Sequence, residues 1–258
     1  MSTDGNLSGR SLLAVFAHPD DESIACGGLL ARCAELGARV SLICVTHGEN
    51  RTGIPDEDLS RVRAGELAAA ARELGIAEVV LLDYPDGFLP WIDARELETR
   101  LASEIRRIAP DVVVTFGHDG LYWHPDHIAV HERTTAAVAS LVETAPALFY
   151  VTMPQGLVRT MVNEYLEPGG SEAPPPVLGV GNPDAFGVHA NAPTLVIDVG
   201  AAAVRKLAAL KCHRTQLAPG GAIGRLSEQD APRLLGIEHF HRAPVGAPGE
   251  AFIERLAR

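Results

Sequence analysis

The chain of 258 residues is poor in the features that mark several large protein classes. Its four cysteines, Cys26, Cys33, Cys44 and Cys212, include no Cys-x-x-Cys pair, which fits reduced thiols better than a disulfide frame or a thiolate zinc site. No apolar run approaches the roughly eighteen residues that cross a bilayer. The early run 12–17 leads directly into His18-Pro19-Asp20-Asp21, so it does not read as a signal peptide, and the expected location is the cytoplasm. Positive charge is scarce: 22 Lys and Arg stand against 33 Asp and Glu, a formal net charge of −11. Counterion release on a phosphate backbone therefore cannot drive binding through the chain as a whole, and nucleic acid is not an expected partner. Aromatic residues reach only 5%, yet hydrophobic residues make up 47% and charged residues 21%, the balance of a folded globular protein.

What is present is alternation. Short apolar runs at 11–17, 40–46, 79–82, 112–116 and 147–152 read as strands, most of them buried and parallel. Between them 24–36, 58–74, 94–108 and 125–142 carry Ala, Leu, Glu and Arg at helical spacing, with Gly37 and Gly75 placed as C-terminal caps. This order predicts a three-layer α/β domain with a mainly parallel sheet, right-handed crossovers, and a ligand site beyond the carboxyl ends of the strands. A Pro- and Gly-rich stretch at about 154–193 interrupts the pattern and reads as a long surface excursion. Periodicity returns with a strand at 194–199 and a helix at 201–212, whose Lys206 and Lys211 suit the helix macrodipole. A helix around 227–235 and a strand at 237–242 then complete a single domain spanning 1–258, with no internal repeat.

Two clusters carry the chemistry. The first strand runs into Ala17-His18-Pro19-Asp20-Asp21-Glu22, one imidazole and three carboxylates where a dinucleotide site would need glycines. Adjacent carboxylates would repel a phosphate, so metal binding is the natural use of this segment. Tyr122-Trp123-His124-Pro125-Asp126-His127 follows the fourth strand and lies on the same sheet edge. A His-Asp set from the first cluster and one His from the second give a three-ligand site of nitrogen and oxygen donors with an open position, a catalytic zinc pattern that also suits Fe2+. His47, Glu49, His118 and Asp119 are further polar loop residues at this edge.

The sequence resembles the LmbE-like, or PIG-L, family of zinc-dependent de-N-acetylases, which includes the deacetylases of mycothiol and bacillithiol synthesis. The resemblance rests on the two clusters together with Arg63-x-x-Glu66-Leu67, Tyr84-Pro85-Asp86-Gly87 and His213-Arg214-Thr215-Gln216, in the family's order. It implies a Rossmann-like sheet, Zn2+ held by His18, Asp21 and His127, Asp20 as general base, and His124 stabilising the oxyanion. It also places Arg63 as a substrate-binding residue, although helical spacing alone reads Arg63 as solvated near Glu66.

The bottom-up chemistry is compatible with those roles. A protonated His124 or the Tyr122 hydroxyl can serve the tetrahedral intermediate. Asp126 either orients His124 or is a first-turn helix carboxylate, and Asp86 either binds a sugar hydroxyl or closes a turn. His213 and Gln216 either cap a helix end or reach the pocket. Trp123 stands where related deacetylases often carry a small residue, which is expected to narrow the pocket mouth. The expected activity is metal-dependent removal of an N-acetyl group from a small-molecule amino sugar or its conjugate. The alternatives are an amidase for a larger thiol or antibiotic conjugate, or a non-catalytic nucleotide-binding α/β module.

Overall fold

A seven-stranded sheet of order β3-β2-β1-β4-β5-β7-β6 organises the computed structural model, which describes residues 5–50, 57–164 and 176–257. Its strands are β1 (Ser11–Phe16), β2 (Arg39–Thr46), β3 (Glu78–Tyr84), β4 (Val112–Phe116), β5 (Ala147–Thr152), β6 (Leu195–Asp198) and β7 (Ile237–Gly246). Only β7 runs against its neighbours. The central strands are buried along almost their whole length, as expected where helices cover both faces, whereas edge strand β6 alternates buried and exposed residues. The helices are α1 (Asp21–Glu35), α2 (Glu57–Leu74), α3 (Ala94–Ile108), α4 (Gly120–Trp123), α5 (Pro125–Ser140), α6 (Leu157–Asn163), α7 (Ala203–Cys212), α8 (Ala222–Arg225) and α9 (Ala231–Leu235). Helices α1, α2 and α7 pack together, as do α3 and α5, which gives the expected three layers.

Local chemistry sets the element ends. Asp93 caps α3 by accepting from the N–H groups of Arg95 (2.8 Å) and Glu96 (3.2 Å), and Leu97, Leu101, Ile105 and Ile108 form its buried stripe. Gly37 and Gly75 follow α1 and α2 with φ of 93° and 74°, the left-handed conformation that closes a helix. Helix α1 starts at Asp21, three residues earlier than the sequence pattern predicts, because Asp21 and Glu22 occupy the first turn where the macrodipole favours carboxylates. Strand β7 extends to Gly246 through a register irregularity between Ala147 and Phe149 of its partner, beyond the expected end at 242. The excursion holds α6, a bridge between Val177 and Val180 and a short 3-10 turn, Pro183–Ala185, while 165–175 lie outside the described residues.

Lys206 does more than complement the helix macrodipole, the role that its helical position suggested. It is buried, and its Nζ lies 2.7 Å from Oε1 of Glu238. Glu238 also accepts from the N–H groups of Gly28 and Leu29, both at 2.8 Å, which α1 leaves free by kinking at Cys26. Gly28 is required there, since a Cβ would collide with the side chain of Val199. The strand order reverses between β1 and β4, so the loops after these two strands open into one crevice at the carboxyl edge of the sheet. Among the described residues no helix is long and apolar enough to cross a membrane.

Candidate active site

The two sequence clusters meet in that crevice. After β1 the chain turns sharply at Asp20, whose φ is 126°, and His18 donates its backbone N–H to Asp21 Oδ2 at 2.7 Å. After β4, Leu121 and Trp123 adopt φ of 66° and 65° on either side of Tyr122. Six residues other than glycine have positive φ among those described, and four of them, Asp20, Leu121, Trp123 and Leu178, are cavity residues or neighbours of one. Backbone strain is thus concentrated at this site.

Three donors converge at its base. His18 Nδ1 lies 3.1 Å from His127 Nε2 and 3.4 Å from Asp21 Oδ2, while His127 Nε2 lies 3.2 Å from Asp21 Oδ1. Donors about 2.0–2.1 Å from a tetrahedral ion stand about 3.3 Å apart, so this triangle has the dimensions of a ligand face. The proton positions agree. His127 Nδ1 donates to the Gly120 carbonyl at 3.0 Å, which leaves the lone pair on Nε2. His18 Nε2 faces Asp86 Oδ1 at 2.9 Å and Asp126 Oδ2 at 3.2 Å, which places a proton on Nε2 and the lone pair on Nδ1. Two lone pairs then point at each other across 3.1 Å unless a proton or a cation lies between them.

The charges respond to that demand. Burial lowers the pKa of His18, but hydrogen bonds to Asp126, Asp21 and Asp86 outweigh it and hold the imidazolium far above its ordinary range. Burial, helped by the positive charge on His18, brings His127 down to about 3 although the Asp21 carboxylate opposes it. Burial also pushes Asp21 up, yet His127 and His18 overcome it and keep the carboxylate ionised. The pocket therefore stabilises one positive charge within the triangle. His124 brings a further ring nitrogen within 4.8 Å of those of His18 and His127, and carboxylate oxygens of Asp86 and Asp126 lie as near to His18. These residues are capable of holding a metal ion.

Around the triangle each polar group is fastened by a distant segment. Asp126, fully buried, accepts from the N–H groups of Gly87 (2.7 Å) and Leu89 (3.1 Å) as well as facing His18. Asp86 accepts from the Asn50 N–H at 2.9 Å, and its own N–H donates to Glu49 at 3.0 Å. Arg63 is buried, contrary to its solvated reading: it donates to the carbonyls of Gly48 (2.7 Å) and Pro19 (2.5 Å) and stands 3.6 Å from Asp20 Oδ2. Burial pushes the Asp20 carboxyl up to about 7 despite the opposing Arg63 charge. His124 accepts the Asp126 N–H at Nδ1 (3.2 Å), and burial together with the charge on His18 holds its pKa below 6.5. The lowered pKa favours the neutral imidazole, and the bond accepted at Nδ1 puts its hydrogen on Nε2.

These side chains border a cavity of about 300 Å³ that includes His18, Asp20, Arg63, Asp86, Tyr122 and His124. The other named residues divide. Gln216 lines the cavity, whereas His213 is fully buried behind it, 2.8 Å from Glu22 Oε1. His47 turns away to exposed Asp83, and Asp119 is buried, which raises its carboxyl pKa. Asn50 and the turn Leu178-Gly179-Val180 complete the wall and were not singled out in the sequence. Asn50 stands beside Glu49 on the active edge and was open to discovery by position, but the turn lies in the aperiodic excursion and carries no sequence signal.

Similar proteins share this architecture. A 1D-myo-inositol 2-acetamido-2-deoxy-alpha-D-glucopyranoside deacetylase of Acidothermus cellulolyticus is 33% identical over 90% of this chain and 88% of its own length. The N,N'-diacetylchitobiose deacetylase of Pyrococcus horikoshii superposes with a TM-score of 0.61 at 22% identity, over 91% of this chain and 84% of that one. GalB, a 4-carboxy-2-hydroxymuconate hydratase of Pseudomonas putida KT2440, superposes with a TM-score of 0.62 at 21% identity, over 94% and 100%. The fold thus hosts more than one reaction, and the residues of the site must decide between them. The family described as PIG-L, GlcNAc-PI de-N-acetylase, matches residues 13–138, which contain both clusters, and this chain belongs to it.

Proposed function

We propose that the protein is a metal-dependent hydrolase that removes the acetyl group from the nitrogen of an amino sugar within a small glycoconjugate. The observation that carries this reading is the triangle of His18, Asp21 and His127 beside a base-competent Asp20 in a sugar-sized cavity. The donor set of two imidazoles and a carboxylate suits Zn2+, with Fe2+ the alternative. A metal held there would polarise the amide carbonyl and acidify a water at its open position.

The chain's own groups supply the remaining chemistry. Asp20, with its pKa near 7, accepts the proton of the attacking water and passes it to the leaving amine. The neutral His124 Nε2–H donates to the oxygen on which negative charge develops, and needs no protonation to do so. Tyr122, whose hydroxyl burial keeps protonated far above the ordinary range, is the second donor on that side. Asp126 holds His18 in its ligating tautomer. Arg63 ties the loops after β1 and β2 together and, with Asp86, faces the sugar. Three neighbouring buried carboxylates disfavour a phosphate-binding module.

Acetate release from 1D-myo-inositol 2-acetamido-2-deoxy-α-D-glucopyranoside and from N-acetylglucosamine, measured with added Zn2+ or Fe2+ and after chelation, tests the proposal. Metal-dependent release is expected. A folded, metal-loaded protein that releases acetate from neither compound would overturn it.

A further inference from the structure

Asp20 immediately precedes α1, a position from which an aspartate ordinarily turns its carboxylate onto the free N–H groups of the helix. Asp93 does so before α3, accepting from Arg95 and Glu96. Asp20 does not: its side chain makes no such bond and borders the catalytic cavity instead. Its backbone is bent to match, with φ of 126° and ψ of −27°. The other five positive-φ residues besides glycine among those described lie at 47–66°, in or near the small left-handed well around +57°, which Asp20 has left. Such a turn needs a restraint, and the first turn of α1 supplies one. Glu22 Oε2 accepts the Asp20 N–H at 3.0 Å, one half of a capping box whose other half, the bond from the Asp20 side chain, is missing.

The Glu22 carboxylate is in turn fixed from its other side. Its Oε1 receives His213 Nε2 at 2.8 Å and Ser23 Oγ at 2.5 Å, and all three residues are fully buried. His213 follows α7 directly, 191 residues further along the chain than Glu22. Its other ring nitrogen, Nδ1, has no hydrogen-bond partner among the described residues. Burying an imidazole with one nitrogen unserved is unfavourable, so the place of His213 is explained by the grip of Nε2 on Glu22. Neither Glu22 nor His213 lines the cavity, so any effect on the reaction passes through Asp20. We propose that Glu22 and His213 are positioning residues for the general base: His213 fixes the Glu22 carboxylate, Glu22 holds the Asp20 N–H, and Asp20 is thereby kept in the strained turn that aims its carboxylate into the cavity rather than at the end of α1. This rests on the deacetylase reading and extends its base from one side chain to a three-residue device that reaches the end of α7.

The test measures kcat, KM and bound metal in the metal-loaded wild type, Glu22→Ala, Glu22→Gln and His213→Ala, with acetate release from 1D-myo-inositol 2-acetamido-2-deoxy-α-D-glucopyranoside, and the Asp20 φ in crystal structures of each. Glu22→Ala and His213→Ala should lower kcat about 10–100-fold, the scale of a base displaced by up to about 1 Å, with KM and metal content close to wild type. Glu22→Gln should restore most of kcat, because its amide oxygen still accepts the Asp20 N–H while its NH2 donates to a neutral His213. A loss of stability alone would neither separate kcat from KM nor follow the acceptor in this way. Where Glu22→Ala does not fold, Glu22→Met combined with His213→Met carries the test, since an apolar pair of similar volume often replaces a buried ion pair without loss of stability. Unchanged kcat in folded, metal-loaded Glu22→Ala or in the double variant overturns the proposal. So does a Glu22→Gln enzyme as slow as Glu22→Ala, which would make the charge and not the hydrogen bond decisive. If the wild type releases no acetate, the deacetylase reading fails separately. The crystal structures then decide: Asp20 leaving its positive φ in Glu22→Ala but not in Glu22→Gln supports the device, and an unmoved Asp20 in Glu22→Ala overturns it.

Discussion

Two of the places where the molecule buries charge along α1 are built on opposite principles. Behind α1, Glu238 receives Lys206 and two backbone N–H groups, so both of its oxygens are satisfied from within the protein. At the N-terminus of α1, His18 Nδ1 and His127 Nε2 face one another at 3.1 Å and require a proton or a cation between them, and the nearby backbone is strained at Asp20, Leu121 and Trp123. A buried ion pair with every partner present is a structural device. A buried cluster whose donors converge on one point is arranged to share a proton or a cation. Exposure alone does not separate them, since Glu238 and Asp21 are both 3% exposed.

Removing a donor breaks the comparison most severely. His127→Ala should lose bound metal and at least about a thousandfold in kcat/KM, because Lewis-acid stabilisation is worth several kcal/mol. Metal analysis beside acetate release checks this, and unchanged metal content would remove His127 from the ligand set. Asp20→Asn should keep its metal but lose about 10²–10⁴-fold in turnover, the usual share of a general base. Asp20 works only when ionised, and burial sets its pKa at about 7. Activity should therefore fall as pH drops through neutrality, with the midpoint at or below about 7, since a bound cation favours the carboxylate. A pH-rate profile that keeps the wild-type acid limb in Asp20→Asn would assign the limb to another group.

Glu238→Ala is the matching perturbation of the satisfied pair. Stranding Lys206 should cost about 3–5 kcal/mol of stability, while kcat of the folded fraction changes little. Urea unfolding and active-site titration separate the two quantities. This pair was invisible in the sequence because Lys206 and Glu238 share no periodic pattern, and only the antiparallel return of β7 brings Glu238 under α1. Helical spacing alone places Arg63 at the surface for the same reason: its spacing with Glu66 cannot show that α2 lies over the loops after β1 and β2, and only the family resemblance pointed to the site. The two clusters were legible because each is compact in sequence and follows a strand at the same sheet edge, while only the family resemblance singled out His18, Asp21 and His127 within them. Two strand ends then sufficed to bring the loops together. The excursion was recognised as aperiodic, but its contribution to the cavity wall depends on folding back across the sheet edge, which composition does not encode.

Glu22 and His213 give the mildest and sharpest test, since the pair adjoins the site and Glu22 is satisfied from within the protein, whereas His213 Nδ1 is buried without a hydrogen-bond partner among the described residues. Their side chains meet at 2.8 Å and are buried, with Ser23 Oγ 2.5 Å from the same Glu22 oxygen and the Asp20 N–H 3.0 Å from the other. Burial opposes both charges, but each partner overcomes it for the other. The Glu22 carboxyl is held below its ordinary 4.5, and the His213 imidazolium above its ordinary 6.5. The Glu22 contribution is complete above about pH 4.5 and is lost as pH falls through its depressed folded value. The His213 contribution is complete below about pH 6.5 and is lost as pH rises through its raised folded value. Both are present together between those limits, so His213→Gln should destabilise the chelated protein most there, by about 1–3 kcal/mol, and progressively less in alkaline solution. Urea unfolding of wild type and variant across this range reads the difference directly. A destabilisation independent of pH would mean that His213 serves by shape alone, and would remove this pair from the charges that the fold holds in balance beneath Asp20.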